Sequence, residues 1–136
     1  MKYYLTLLIP ICLIVILSAC SQNNSTQTEE LKNYMQEVFN EDLPGDSTLF
    51  IFIPDYHCST CLDQYLADFE KHHEAMGHPD ICMILTGNTS DILQKSKIPY
   101  KVMIDENGIM NYYETYCAGI TEILVVHEQI NTLVQL

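Results

Sequence analysis

The sequence predicts an α/β domain in which a central mixed sheet of about four strands carries helices on both faces. Three observations predict it. "TLFIFI" (residues 48–53) and "ICMILT" (residues 81–86) are short apolar runs bounded by turn residues, as strands buried on both sides are. Between them, "CLDQYLADFEKHHEAM" repeats its apolar residues at helical spacing. Finally, residues 29–136 have the length of one domain, enough to bury a substantial core without help from crosslinks.

Taken in order, "TEELKNYMQEVFNED" spaces Leu31, Tyr34, Met35, Val38 and Phe39 for a first helix, with Thr28 as N-cap and acids in the first turn. "LPGD" stops it, and "STLFIFIP" follows as a buried strand. In the second helix Leu62, Tyr65, Leu66, Phe69 and His73 share one face, and Gly77 and Pro79 end it. "ICMILTG" is the next strand, "NTSDILQKSK" a short helix or turn, and Ile98-Pro99 a break. "YKVMIDENGIMNYYET" reads as two strands around the turn Asp105–Gly108, Asn-Gly being the hairpin signal. In "ITEILVVHEQINTLVQL", Ile120, Ile123, Leu124, His127, Ile130 and Val134 fit a terminal helix, while the β-branched density leaves residues 123–126 ambiguous with a strand.

The start of the chain reads as an address. Lys2 precedes the apolar run "YYLTLLIPICLIVIL", which Pro10 interrupts and which is shorter than the ~20 residues that span a bilayer. The run closes on Leu17-Ser18-Ala19-Cys20, which resembles the bacterial lipobox. That resemblance implies a signal peptide over residues 1–19, removal of that peptide and acylation of Cys20. One acyl chain binds only marginally, at ~0.8 kcal/mol per buried CH₂, and several make a durable anchor. Residues 20–28, with the apolar-free "SQNNSTQT", form the lipidated cysteine and a flexible tether of about 15 Å r.m.s., ahead of the domain at 29–136. Ser21 after the lipidated cysteine resembles outer-membrane sorting, so the expected place is the bacterial envelope, at the outer membrane facing the periplasm.

The mature chain keeps five lysines, no arginine and all 18 acidic residues, a net charge of −13. Nucleic acid is excluded as a partner by that charge, and adhesion to anionic headgroups is opposed by it. A monomer is expected. With Cys12 removed and Cys20 acylated, Cys58, Cys61, Cys82 and Cys117 remain in a compartment where thiols oxidise.

Cys58 and Cys61 stand two apart, between the first strand and the second helix. At a helix N-terminus, free N–H groups and the positive end of the dipole stabilise a thiolate, which suits Cys58 as nucleophile. Cys61, a turn further in, then suits the resolving thiol. His57, when protonated, adds to the same effect.

"LFIFIPDYHCSTC" and, separately, "KIPYKVMIDENGIM" resemble the thioredoxin-like superfamily, in particular the membrane-tethered redoxins of the TlpA type, over residues 29–136. The resemblance implies a thioredoxin-like fold and a thiol:disulfide oxidoreductase, acting as a reductase through Cys58 and Cys61. It needs no cofactor beyond that disulfide. It implies extracytoplasmic protein disulfides as substrates and a membrane electron donor as partner. It also implies that Ile98-Pro99 is the X-Pro loop that faces the cysteines, with Ile98 pairing with an extended substrate. The chain departs from the family in two places. His57 stands where Trp is common, and "TLFIFI" has no carboxylate, leaving Asp55, Glu106 or water to accept a proton.

Two alternatives accompany this reading: a non-catalytic binding lipoprotein of the same fold with a structural disulfide, and a Cu- or Zn-handling protein. A zinc site needs two more ligands from His57, His72, His73, His78, Cys82 or Cys117, and no second Cys-x-x-Cys or His-x₃₋₅-His occurs. Cu(I) suits soft thiolates, but His127 reads as a core histidine. No metal site is therefore assigned. Cys82 reads as a small buried hydrophobe, and a Cys82–Cys117 disulfide is left open.

Overall fold

The computed structural model describes residues 25–55, 59–73, 79–87 and 100–136. Helix α1 (residues 25–39) precedes β1 (Thr48–Ile53), α2 (Ser59–His73) and β2 (Asp80–Thr86). After β3 (Lys101–Asp105) come a 3₁₀ turn (Ile109–Tyr112) and the one-turn helix α3 (Glu114–Cys117). Strands β4 (Thr121–Val126) and β5 (Gln129–Gln135) close the chain. The sheet has five strands, against about four expected, in the order β3-β2-β1-β4-β5. β1, β2 and β3 run parallel, and β4 and β5 are antiparallel additions on the other side of β1. The expected mixed sheet with helices on both faces is present.

The core lies in two layers that follow from strand alternation. On one face Phe50, Phe52, Cys82, Ile84, Met103, Ile123 and Val125 pack against Leu31, Tyr34 and Met35 of α1 and against Met110 and Tyr116. On the other, Leu49, Ile51, Ile53, Ile81, Met83, Leu85 and Ile120 meet Leu62 and Phe69 of α2. All six residues of β1 are buried, as its unbroken apolar run requires of a strand covered twice.

Of the stripe its spacing predicts, helix α1 buries Leu31, Tyr34 and Met35 and packs Val38 and Phe39 half-buried beside them; Thr28 is buried as well. Thr28 is not its N-cap. It lies inside the helix, where its hydroxyl accepts the Ile130 N–H at 3.2 Å and ties α1 to β5. The helix ends at Asn40, whose left-handed φ of 53° lets the next N–H, that of Glu41, return to the Met35 carbonyl at 3.4 Å.

Two further expectations are corrected. Residues 120–136 form a hairpin instead of a terminal helix. β4 alternates buried and half-buried positions, and its β-branched residues suit a pleated surface better than a helix. Both turn residues, His127 (φ 52°) and Glu128 (φ 62°), have the positive φ of a two-residue hairpin loop. His127 is thus exposed on the turn, Nδ1 3.3 Å from the Gly45 carbonyl, and is no core histidine. The second correction concerns Asn107-Gly108, which does not close a hairpin. Gly108 (φ 65°) leads into the 3₁₀ turn because the Asp105 carboxylate accepts the Met110 N–H at 2.7 Å and folds the chain inward. Met110 and Tyr116 then become core residues of the α1 face. Tyr116 stacks on Phe52 with ring centroids 4.3 Å apart.

Candidate functional site

The junction of β1 with α2 is the place to which the sequence assigns the cysteine pair. β1 ends at Ile53, Pro54 is buried, Asp55 is half-buried, and α2 begins at Ser59, the residue after Cys58. Cys61 therefore belongs to the first turn of a 15-residue helix, where backbone N–H groups lack intrahelical partners. Leu62 and Phe69 are buried against the sheet, with Tyr65 and Leu66 packed beside them, as expected. His57, Cys58, Ile98, Pro99 and Cys20 lie outside the described residues.

Strand directions decide what stands beside this junction. Ile53 is level with Leu85 of β2, so the C-terminal ends of both strands share one end of the sheet. β4 runs the other way, with Thr121 opposite Phe52. The stretch leading into β4, Ala118-Gly119-Ile120, is therefore the strand start beside the C-terminal end of β1. Ile120 is buried within the layer that holds Ile53 and Leu62. Gly119 is held against the end of β5, where a Cβ would meet the Leu136 carbonyl oxygen at 2.5 Å. β3, the strand after Ile98-Pro99, starts at Lys101, level with Cys82 and through it with Phe50. It starts two strands away from β1 and three residues short of its end.

The α2 face of the sheet carries one carboxylate. Glu122 of β4 sits between Ile120 and Leu124, opposite Ile51, and its Oε1 accepts the Tyr65 hydroxyl at 2.7 Å. Burial, then the bond to Glu122 and its charge, push the Tyr65 hydroxyl far above its ordinary range. Sequence reasoning missed this pair. Read as a helix, residues 120–134 put Glu122 on the polar side; read as a strand, they put it in register with Ile120 and Leu124, and the i, i+2 alternation was the available signal. Of the two expected proton acceptors, Asp55 is half-buried at the junction and Glu106 is exposed on the turn after β3.

The other two cysteines are free thiols, one buried and one exposed. Cys82 packs on the α1 face, and burial pushes its thiol up to about 11, against a smaller lowering by Lys101. Cys117 ends α3, its Sγ 3.8 Å from the Glu114 carbonyl oxygen. Among the described residues no three His, Cys, Asp or Glu side chains group as metal ligands. Nor is any helix there long and apolar enough to cross a membrane.

No family model matches the chain, and no curated protein sequence does. Among solved structures, the crystal structure of StoA from Bacillus subtilis superposes with a TM-score of 0.50 at 15% identity, over 70% of this chain and 80% of that one. Such a likeness speaks to architecture, and with the strand order above it defines a thioredoxin-like α/β fold. The particular resemblance is to the StoA fold.

Proposed function

We propose that this protein is an extracytoplasmic, lipid-anchored thiol:disulfide oxidoreductase that exchanges disulfides through Cys58 and Cys61. One observation supports the reading: in a thioredoxin-like fold, α2 begins at Ser59, the residue after Cys58 in the sequence, and Cys61 falls in its first turn. Cys58 acts as nucleophile, favoured as a thiolate by the helix N-terminus and by His57 when protonated. Its sulfur attacks one sulfur of a substrate disulfide, and the other leaves with the bonding electron pair. Cys61 then displaces the substrate sulfur from Cys58, leaving the pair oxidised and the substrate reduced. The sulfur pair is the redox group, and a membrane electron donor returns it to the dithiol. Extended protein segments approach at the strand start beside the junction, residues 118–120. Ile98-Pro99, proposed from the family resemblance, has less support from the strand order. Cys20 supplies the anchor, and the domain works as a monomer.

The test is the reduction potential of the Cys58–Cys61 pair together with the pH profile of Cys58 alkylation. A potential above about −300 mV with a Cys58 thiolate formed below the ordinary ~8.5 supports exchange. A lower potential with an unshifted thiol favours the second reading, a binding lipoprotein with a structural disulfide, for which Ile120 in place of a proline beside the junction speaks. Cys20→Ala should release the protein from membranes, and retention there would remove the anchor from the proposal.

A further inference from the structure

Strand β5 is one edge of the sheet, and its two halves are finished differently. The Leu136 N–H bonds the Ile120 carbonyl at the start of β4, at 2.9 Å. Antiparallel ladders alternate inward and outward residues. Val134 and Thr132 therefore also face β4, while Gln135 and Leu133 turn their N–H and C=O groups outward. The register then shifts, leaving Asn131 unpaired and turning Ile130 outward. There α1 closes the edge, because the Thr28 hydroxyl accepts the Ile130 N–H at 3.2 Å. Among the described residues nothing closes it in this way at Leu133 and Gln135. Residues 129–136, "QINTLVQL", contain no charge and no proline, the usual guards of an exposed edge. Val134 is 42% exposed and Leu136 63%, both on the face that carries Glu122.

We propose that this open half of β5 binds the same strand of a second copy, antiparallel about a twofold axis at Val134, so that two sheets continue as one. The edge is complementary to itself. In that register Leu133 of each copy faces its partner's Gln135, and the two exchange both backbone hydrogen bonds. Every outward group of the open half is then satisfied. A twofold at Leu133 would instead set Gln135 against the irregular Asn131. On the Glu122 side Val134 meets its own copy and Leu136 covers its partner's Thr132, which withdraws both exposed apolar side chains from water. Charge does not prevent the approach. Glu122 lies level with Val134, so the two Glu122 carboxylates would stand about 14 Å apart, three strand spacings of ~4.8 Å. That exceeds the Debye length of ~8 Å at physiological salt. A foreign strand offers the same hydrogen bonds; a second β5 also brings an uncharged strip whose Val134 and Leu136 fall against these. The contact is short, so dilute domains stay the monomers described above and pair as concentration rises. It uses neither the cysteine pair nor the exchange reading.

The test places single cysteines on β5 of the full-length chain carrying Cys58→Ser, Cys61→Ser and Cys117→Ser, with Cys82 left in the core. The same chain without a β5 cysteine gives the background. Across the twofold the Cα atoms of residue 134 would stand about 4.5 Å apart, within disulfide reach. Val134→Cys should therefore form a covalent dimer under copper–phenanthroline oxidation. Residue 132, also exposed on that face, would lie about 13 Å from its own copy, so Thr132→Cys should crosslink about tenfold more slowly. Adding Gln135→Pro to Val134→Cys deletes one outward N–H and leaves the fold's own ladder to β4 intact, so it should cut the dimer yield about tenfold. Equal rates in Val134→Cys and Thr132→Cys would mean chance collision and overturn the proposal. So would a Val134→Cys chain that stays monomeric or is captured by a different protein, and so would a dimer indifferent to Gln135→Pro. If the proline variant does not fold, the ratio of the two crosslinking rates decides alone. With Cys58 and Cys61 replaced no disulfide exchange occurs, so the result stands apart from the exchange reading.

Discussion

Asp105 ends β3 fully buried, and three elements depend on it. Its carboxylate Oδ2 accepts the Tyr34 hydroxyl of α1 at 3.2 Å and the Met110 N–H of the 3₁₀ turn at 2.7 Å. Its backbone oxygen accepts the N–H groups of Gly87 and Gly108, closing the end of β2 and the turn after β3. Tyr34 in turn makes edge contacts with Phe39, Phe52, Tyr113 and Tyr116, so the acid orients the hub of the α1-face core. Asp105→Ala should therefore cost about 3 kcal/mol in urea denaturation, because it strands a buried hydroxyl and a buried N–H together. Tyr34→Phe removes one bond and leaves the acid its backbone partner, so it should cost about 1 kcal/mol. Equal losses from the two variants would contradict that division. The sequence offers Asp105 only as the start of a turn. Its role depends on Tyr34, 71 residues earlier, a contact that no local pattern encodes.

At the scale of elements, the β4–β5 turn places two residues with side chains where φ is positive, His127 at 52° and Glu128 at 62°. Glycine takes that conformation without a Cβ penalty. Glu128→Gly is expected to raise stability by about 0.5–1 kcal/mol, measured as a higher urea midpoint with an unchanged slope. A loss would mean that the Glu128 side chain contributes more than its backbone strain removes. This turn also explains why the hairpin was hard to read. Asn-Gly, the usual signal, lies at 107–108, where Asp105 diverts the chain into a 3₁₀ turn. The real hairpin turns on His-Glu, residues with no turn preference. Ile120, Ile123, Leu124, His127, Ile130 and Val134 fit a 3.6-residue period, while Ile123, Val125 and the β-branched neighbours fit a period of two. By contrast, β1, α2 and β2 were legible, because a doubly buried strand and a one-sided helix leave unambiguous patterns. The same holds for the start of α2 soon after β1, which puts Cys61 in its first turn. The partner strand of that entry was not legible, since strand order is a property of the assembled sheet.

Across the whole molecule, buried acids of one kind set how the fold responds to alkali. Burial first, and the neighbouring Asp105 second, push the Tyr34 hydroxyl well above its ordinary 10.0. Burial followed by the Glu122 bond does so for Tyr65, and burial followed by Glu30 does so for Tyr116. Cys82 is raised from 9.0 to about 11, also by burial. Each of these groups is neutral in the folded state and free to ionise once unfolded. Their contribution is therefore complete below the unfolded value and is lost as pH climbs toward the folded one. The Cys82 share falls between about pH 9 and 11, and the three tyrosines add to it from pH 10 upward. The chain already carries a net charge of −12, so every ionisation also adds to repulsion within a compact, acidic body. Stability from urea unfolding should hold level through neutral pH and drop steeply above about pH 9.5. Tyrosinate absorbance at 295 nm should rise in two stages, exposed rings first and the buried three only together with loss of far-ultraviolet ellipticity. A single smooth rise completed while the sheet is still folded would show that Tyr34, Tyr65 and Tyr116 reach solvent. In that case the two-layer core built around Tyr34 and Tyr116, and the Tyr65–Glu122 contact on the opposite face, would be looser than their hydrogen bonds and ring contacts describe.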